Sequence, residues 1–310
     1  MKFATIRHNG APAVAVIDTA KNLAFPLSSL VPGLPARIAG DMVAAIAHFG
    51  KVRLPALTGG IPLDDVTLLA PILAPPHNIM CVGKNYHEHA KEFTKSGYDA
   101  GAKESDAIPQ HPIIFTKPSS SIAGPYDDIP LWPGLDGAVD YEAELAVVIG
   151  KEGRFISRAA ALDHVFGYTI INDVTERDLQ RVHRQWFLGK GIDGFGPMGP
   201  WIVTADELDA GNLRITCNVN GERRQDTSTA DLIFDVPTLI ETISRSVTLL
   251  PGDVIATGTP VGVGIGFNPP RFLKAGDVVE IEIEGIGKIR NTMRRMQTSL
   301  QDEEVLQAAK

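Results

Sequence analysis

The stretch DYEAELAVVIG, residues 140–150, restricts the fold more than any other part of the chain. In a strand, residues two apart share a face, so Glu142 and Glu144 project side by side, with Asp140 ahead of them on the same face. Residues 145–149 are apolar on both faces, which marks an interior strand. The carboxylates therefore lead into the protein. Like charges placed there repel, and burying them unpaired is costly or drives their pKa values up. A divalent cation removes that difficulty, and ligands that are all oxygen select Mg²⁺, Mn²⁺ or Ca²⁺ over softer metals. Spacing alone fits a solvated strand edge with unrelated acids equally well.

A second segment offers the missing ligand. GYTIINDVTERDLQ, residues 167–180, is an apolar strand ending in Asn172 and Asp173. Glu142, Glu144 and Asp173 together would form a three-carboxylate face with open positions for water and substrate. Glu280, Glu282 and Glu284 differ: they alternate with Val279, Ile281 and Ile283, the pattern of a half-buried strand with one wet face. In NYHEHAKEF the two histidines lie on different helix faces and HExxH is absent, which excludes a zinc pair. His89 and Glu92, at i and i+3, can touch. A carboxylate beside an imidazole fixes its tautomer and raises its basicity, as a general base requires. On spacing alone, a surface helix with ordinary charge pairs explains them as well or better. Asn85 and Glu88 have the spacing of a capping box, so the helix is expected to open near Asn85.

Strand-like runs dominate the remainder, and 30 glycines and 22 prolines supply turns between them. The expected class is mixed α/β, β-rich and not doubly wound. Residues 2–18 read as two strands around Asn9-Gly10, and 38–50 as a helix stopped by Gly50. Pro71, Pro75 and Pro76 suggest a linker, giving a small N-terminal α+β domain (1–72) and a catalytic domain (73–310). Residues 94–112 are polar and without periodicity, as expected of a lid or of disorder. A net charge of −8 with scattered Lys and Arg argues against nucleic-acid partners. There is no apolar run of about 20 residues and no leader-like start. Cys81 and Cys217 suggest neither a zinc site nor a disulfide framework. A cytoplasmic protein is the default expectation. The glycines of GTPVGVGIGF and LGKG do not complete a nucleotide-binding motif, and Ser119–Ser121 lack the GxSxG context.

CVGKNYHEHAKE, IIFTKPSSSIAG, DYEAELAVVIG, GYTIINDVTERDLQ, GKGIDGFGPMGPWIV and GDVIATGTPVGVG occur in an order that resembles the fumarylacetoacetate hydrolase family, over roughly residues 78–292. The resemblance implies a C-terminal β-roll, Mg²⁺ or Mn²⁺, and a homodimer. It implies Glu142, Glu144 and Asp173 as metal ligands, His89 and Glu92 as the water-activating pair, and Lys190 as the group meeting negative charge. Arg177, Gln180 and Thr259 match substrate-contacting positions, and Asp140 is left a supporting role. The implied reaction is hydrolysis of a C–C bond in a 2,4-dioxo acid such as an acylpyruvate. The alternative is an isomerase or decarboxylase of 2-hydroxymuconate-like diacids, or a related 2-oxo acid lyase. A non-catalytic binder of metal or carboxylates would have no need of the His89–Glu92 pair. The acyl group, and whether it derives from an aromatic or a deoxysugar, is left open.

Overall fold

A computed structural model describes residues 1–49, 55–99 and 107–297. Its main layer is a 12-stranded sheet. From one side it runs through Ile61–Pro62, Leu23–Pro26, Ala11–Asp18, Lys2–His8, Gly196–Thr204, Val165–Asn172, Ala143–Ile149, Val254–Ala256, Ile79–Gly83 and Ile113–Lys117. A five-stranded sheet of Glu222–Ser228, Arg214–Val219, Val278–Ile283, Gly287–Arg295 and Ile129–Leu131 packs beside it. The protein is mixed α/β and rich in strands. No helix among the described residues is long and apolar enough to cross a membrane.

Ala143–Ile149 is buried along its whole length. Leu145, Val147 and Ile149 enter one apolar cluster, and Ala146 and Val148 another on the opposite face. Its neighbour Val165–Asn172 runs antiparallel, with Ala143 opposite Asn172. That register brings Glu142 and Asp173 to the same end of the ladder, where Asp173 N donates to Glu142 O at 2.9 Å. On the other side Val254–Ala256 is antiparallel, and Ile79–Gly83 runs parallel to it. Gly258 and Lys84, just beyond those two strands, therefore arrive at the same edge. Four strand termini from distant parts of the chain converge there.

The first strand pairs with Ala11–Asp18 through the Asn9-Gly10 turn, whose φ values are 50° and 80°. It also pairs with Gly196–Thr204 at Lys2↔Val203 and Phe3↔Ile202. Val278–Ile283 buries Val279, Ile281 and Ile283 and turns its glutamates outward, as the alternation implies.

Several local expectations are corrected. The helix opening near Asn85 is His87–Lys95, with Tyr86 at its cap and no side-chain capping bond. Asn85 is drawn inward instead. Its Nδ2 donates to Phe234 O (3.0 Å) and Thr257 O (2.7 Å), and its Oδ1 accepts from Phe234 N (2.8 Å). Three buried bonds outweigh one exposed cap. The helix expected over 38–50 is two helices, Ala36–Gly40 and Met42–Phe49, interrupted at Asp41, whose extended backbone lets its Oδ1 accept from Val43 N. Gly50, its expected stop, lies outside the described residues. So do residues 100–106 of the segment expected to be a lid. Glu222–Ser228 was not anticipated, because ERRQDTS has no apolar alternation. The turn signal Asn220-Gly221 precedes it, with φ of 52° and 81°.

Candidate active site

Glu142, Glu144 and Asp173 converge as buried side chains whose nearest oxygens all lie within 4.8 Å of one another. The neighbouring cations respond to this concentration of charge. Lys190 Nζ donates to Glu142 Oε2 at 2.8 Å and to Asp173 Oδ2 at 2.7 Å. Arg177 Nη1 lies 2.8 Å from Glu142 Oε1. Lys117 Nζ lies 2.9 Å from Asp173 Oδ1 and donates to Val174 O at 3.1 Å and to Lys190 O. Asp173 Oδ1 nonetheless accepts no aligned hydrogen bond although it is buried.

The electrostatics separate the two glutamates. Burial pushes the Glu142 carboxyl up, but Lys190 and Arg177 overcome it and pull the group down to about 2. Glu144 is held well above the usual carboxylate range by burial first, then by Asp173 and Glu142; the Lys190 ammonium and a hydrogen bond from Gly258 N, 2.8 Å, oppose this. The Lys190 ammonium is disfavoured by burial, yet Asp173 and Glu142 raise its pKa. Asp140, Glu142, Glu144 and Asp173 thus face Lys117, Arg177 and Lys190, four acids against three cations. This donor set fits a divalent ion: all its oxygens are hard, they converge, one buried oxygen lacks an aligned donor, and the acids outnumber the neighbouring cations.

Asp140 anchors the surroundings. Its carboxylate accepts from Arg177 Nε (3.0 Å), Gly264 N (2.6 Å) and Ile265 N (3.1 Å), tying the helix Arg177–Val182 to the turn Gly264–Gly266. Arg177 Nη1 also donates to Gln180 Oε1 at 3.1 Å. Thr259 Oγ1 accepts from Gln225 Nε2 at 2.9 Å.

His89 lies buried on the inner face of its helix, with Nδ1 3.1 Å from Glu92 Oε2. Glu92 also accepts from Gly262 N at 3.1 Å. A carboxylate on Nδ1 keeps the proton there and leaves Nε2 as the free base. Gly266 makes room for this pair, and Gly258 for the packing of Asn85. At Gly266 a Cβ would overlap Glu92 Oε1 and lie 2.7 Å from its Cγ. Gly258, at φ 101°, leaves no room for a Cβ, which would sit 2.8 Å from Asn85 Cβ.

His89, Glu142, Arg177, Gln180, Lys190 and Thr259 line one cavity of about 20 Å³, together with Lys84, Phe93, Phe115 and Trp186. Such a volume holds about one water. A wider cleft of about 1140 Å³ lies elsewhere, between Phe3, Phe166, Tyr168, Leu208 and Val236, and includes no member of the acid cluster. Chemistry, not size, points to the smaller cavity. Among its residues, Lys84, Phe93, Phe115 and Trp186 carry no assignment from the sequence, and neither does Lys117, which pairs with Asp173 behind it. Lys117 had left a signal: a lysine ending the apolar strand Ile113–Lys117, directly before a proline.

Residues 78–294 match the family model described as fumarylacetoacetate (FAA) hydrolase, C-terminal. The chain belongs to the fumarylacetoacetate hydrolase family. It is 49% identical over 230 residues to oxaloacetate tautomerase YisK of Bacillus subtilis (strain 168), covering 74% of this chain and 73% of that protein. The solved structure of a fumarylacetoacetate hydrolase from psychrophilic Exiguobacterium antarcticum superposes with a TM-score of 0.80 at 41% identity, covering 96% of this chain and 100% of that one. Maleylpyruvate hydrolase from Sphingobium sp. SYK-6, solved with manganese(II) and pyruvate, gives 0.76 at 31% identity, with the same coverage.

Proposed function

We propose that the chain is a divalent-metal-dependent enzyme that interconverts the keto and enol forms of a 2-oxo acid, with oxaloacetate as the first substrate to test. The observation that carries this reading is a buried, carboxylate-held imidazole that shares its cavity with Glu142, one of three buried carboxylates whose oxygens converge. The similarity to an oxaloacetate tautomerase supports the reaction type, and the manganese(II) and pyruvate in a structural relative support the ion and ligand class. When bound by Glu142, Glu144 and Asp173, Mg²⁺ or Mn²⁺ supplies Lewis acidity toward the substrate's oxygens.

The residues of the chain do the rest. His89, with its Nδ1 proton on Glu92, takes a proton from C3 at Nε2 and returns it to the oxygen on C2. The C3–H bond breaks, the electron pair forms the C2=C3 bond, and the imidazole ends as it began. Lys190 meets the negative charge that grows on that oxygen during the transfer. Arg177, Gln180 and Thr259 hold the adjacent carboxylate, and Phe93, Phe115 and Trp186 keep water from the carbon.

A second reading, hydrolysis of the C–C bond in a 2,4-dioxo acid, is favoured by the same His89–Glu92 pair, which suits activation of water, and by the likeness to a maleylpyruvate hydrolase. Two assays separate them. With Mg²⁺ and oxaloacetate, the enol's ultraviolet absorbance should relax faster than without enzyme, and His89→Ala should slow it about 10²- to 10⁴-fold. With an acylpyruvate in ¹⁸O-water, label entering the released acid would favour hydrolysis. No acceleration of enol decay by the wild type would end the tautomerase reading.

A further inference from the structure

We propose that Lys84 recognises the remote carboxylate of a dicarboxylic substrate and so selects diacids over monoacids. The inference rests on reading the cavity as a 2-oxo acid site and adds which class of 2-oxo acid it takes. Lys84 follows the strand Ile79–Gly83 at the sheet edge that carries the acids, and its backbone is left-handed, with φ of 56°. A side chain rarely adopts that conformation unless its surroundings hold it there. Lys84 is buried and lines the cavity with His89, Glu142 and Arg177.

Its counter-ion separates it from the other cations. Lys117, Arg177 and Lys190 are all engaged by Asp140, Glu142 or Asp173. Lys84 Nζ instead lies 2.7 Å from Asp99 Oδ2 and 3.1 Å from Thr94 Oγ1, and Thr94 Oγ1 donates to the same Asp99 oxygen at 2.9 Å. Among the described residues it is the lysine of the cavity wall whose acid lies outside the cluster. Asp99 is also partly open to solvent, with 16% of its side chain exposed. A ligand carboxylate can therefore take over the ammonium while Asp99 regains water, so the buried charge is never left unpaired. A monoacid makes no such exchange. Its single carboxylate is already committed beside the 2-oxo group.

The test is calorimetric binding of oxaloacetate and of pyruvate to the Mg²⁺-loaded protein, reported as the ratio of the two affinities. A charge-assisted bond in a buried setting should give the wild type a ratio of about ten or more in favour of oxaloacetate. Lys84→Met should bring the ratio close to one, and Lys84→Arg should keep most of it. Asp99→Asn removes the competing carboxylate and should raise the ratio, which tests the idea even if Lys84→Met does not fold. A tie with a purely structural role would lower stability without moving the ratio. A wild-type ratio near one, a Lys84→Met ratio equal to the wild type, or an Asp99→Asn ratio that does not rise would overturn the proposal. If oxaloacetate is preferred but its enol decay is not accelerated, the Lys84 assignment stands and the tautomerase reading fails.

Discussion

Replacing Gly266 with alanine should disable the base without touching it. A Cβ at Gly266 would overlap Glu92 Oε1 and lie 2.7 Å from Glu92 Cγ. Gly266 is not in the left-handed region, so its own backbone accepts alanine, and what must yield is the end of a flexible side chain. Glu92 then leaves both His89 Nδ1, 3.1 Å away, and Gly262 N, 3.1 Å away. A hydrogen bond to a charged group contributes about 1.5–3 kcal/mol, so losing the one that orients His89 should lower kcat by about 10- to 100-fold. That is less than loss of the imidazole itself. Stability should fall by only about 1–2 kcal/mol, because the Glu92 carboxylate is partly exposed, 11% of its side chain, and is the flexible end that yields. The assay compares kcat for Gly266→Ala, Glu92→Ala and the double variant, with Mn²⁺ affinity measured alongside. Contact between the sites requires the double variant to be no slower than Glu92→Ala, since alanine at 92 vacates the space. Wild-type kcat in Gly266→Ala, or a second full loss in the double variant, would refute the reasoning.

Other consequences are as direct. Glu142→Gln, Glu144→Gln and Asp173→Asn should each abolish most of the rise in Tm produced by Mn²⁺; for the wild type at a hundred times Kd, that rise reflects about 2.7 kcal/mol. An unchanged rise in any of them would remove that residue from the ligand set. Chelation should extinguish activity and Mg²⁺ or Mn²⁺ should restore it, measured as turnover before and after dialysis. Glu144 is held above the ordinary carboxylate range by burial and by Asp173 and Glu142. A cation competes with a proton for that carboxylate, so affinity should climb as pH rises; calorimetry showing a flat profile would contradict the raised pKa. Asn85→Ala should cost about 2–4 kcal/mol in urea unfolding, because it leaves Phe234 N, Phe234 O and Thr257 O without their partner.

The buried acid strand could be read from residues 140–150 because two physical rules act there together: period-two alternation and the cost of burying like charges. Those rules operate within a few residues and need no knowledge of the partner strand. The pairing of Glu142 with Asp173 was less accessible, since it depends on the register Ala143↔Asn172, which only the assembled ladder settles. Asn85 misled for a related reason: its local spacing describes a cap, while the backbone of Phe234 and Thr257, far away in sequence, offers more bonds. Lys84 and Lys117 lay hidden because a lysine in a short motif looks the same whether its ammonium reaches water or a buried acid. Trp186 fits the same description, for it meets Phe93 and Phe115 only across the fold, with ring centroids 5.8 and 5.1 Å away.

The bond from Asp173 N to Glu142 O makes the backbone ladder a ruler for the site. Because side chains change face with every residue, an insertion of one amino acid between Ala143 and Val147, or between Ile170 and Asn172, would turn a carboxylate of the cluster into the opposite apolar layer while leaving the hydrogen bonds of the sheet largely satisfied. A chain with such an insertion should keep the architecture and lose the convergence of Glu142, Glu144 and Asp173.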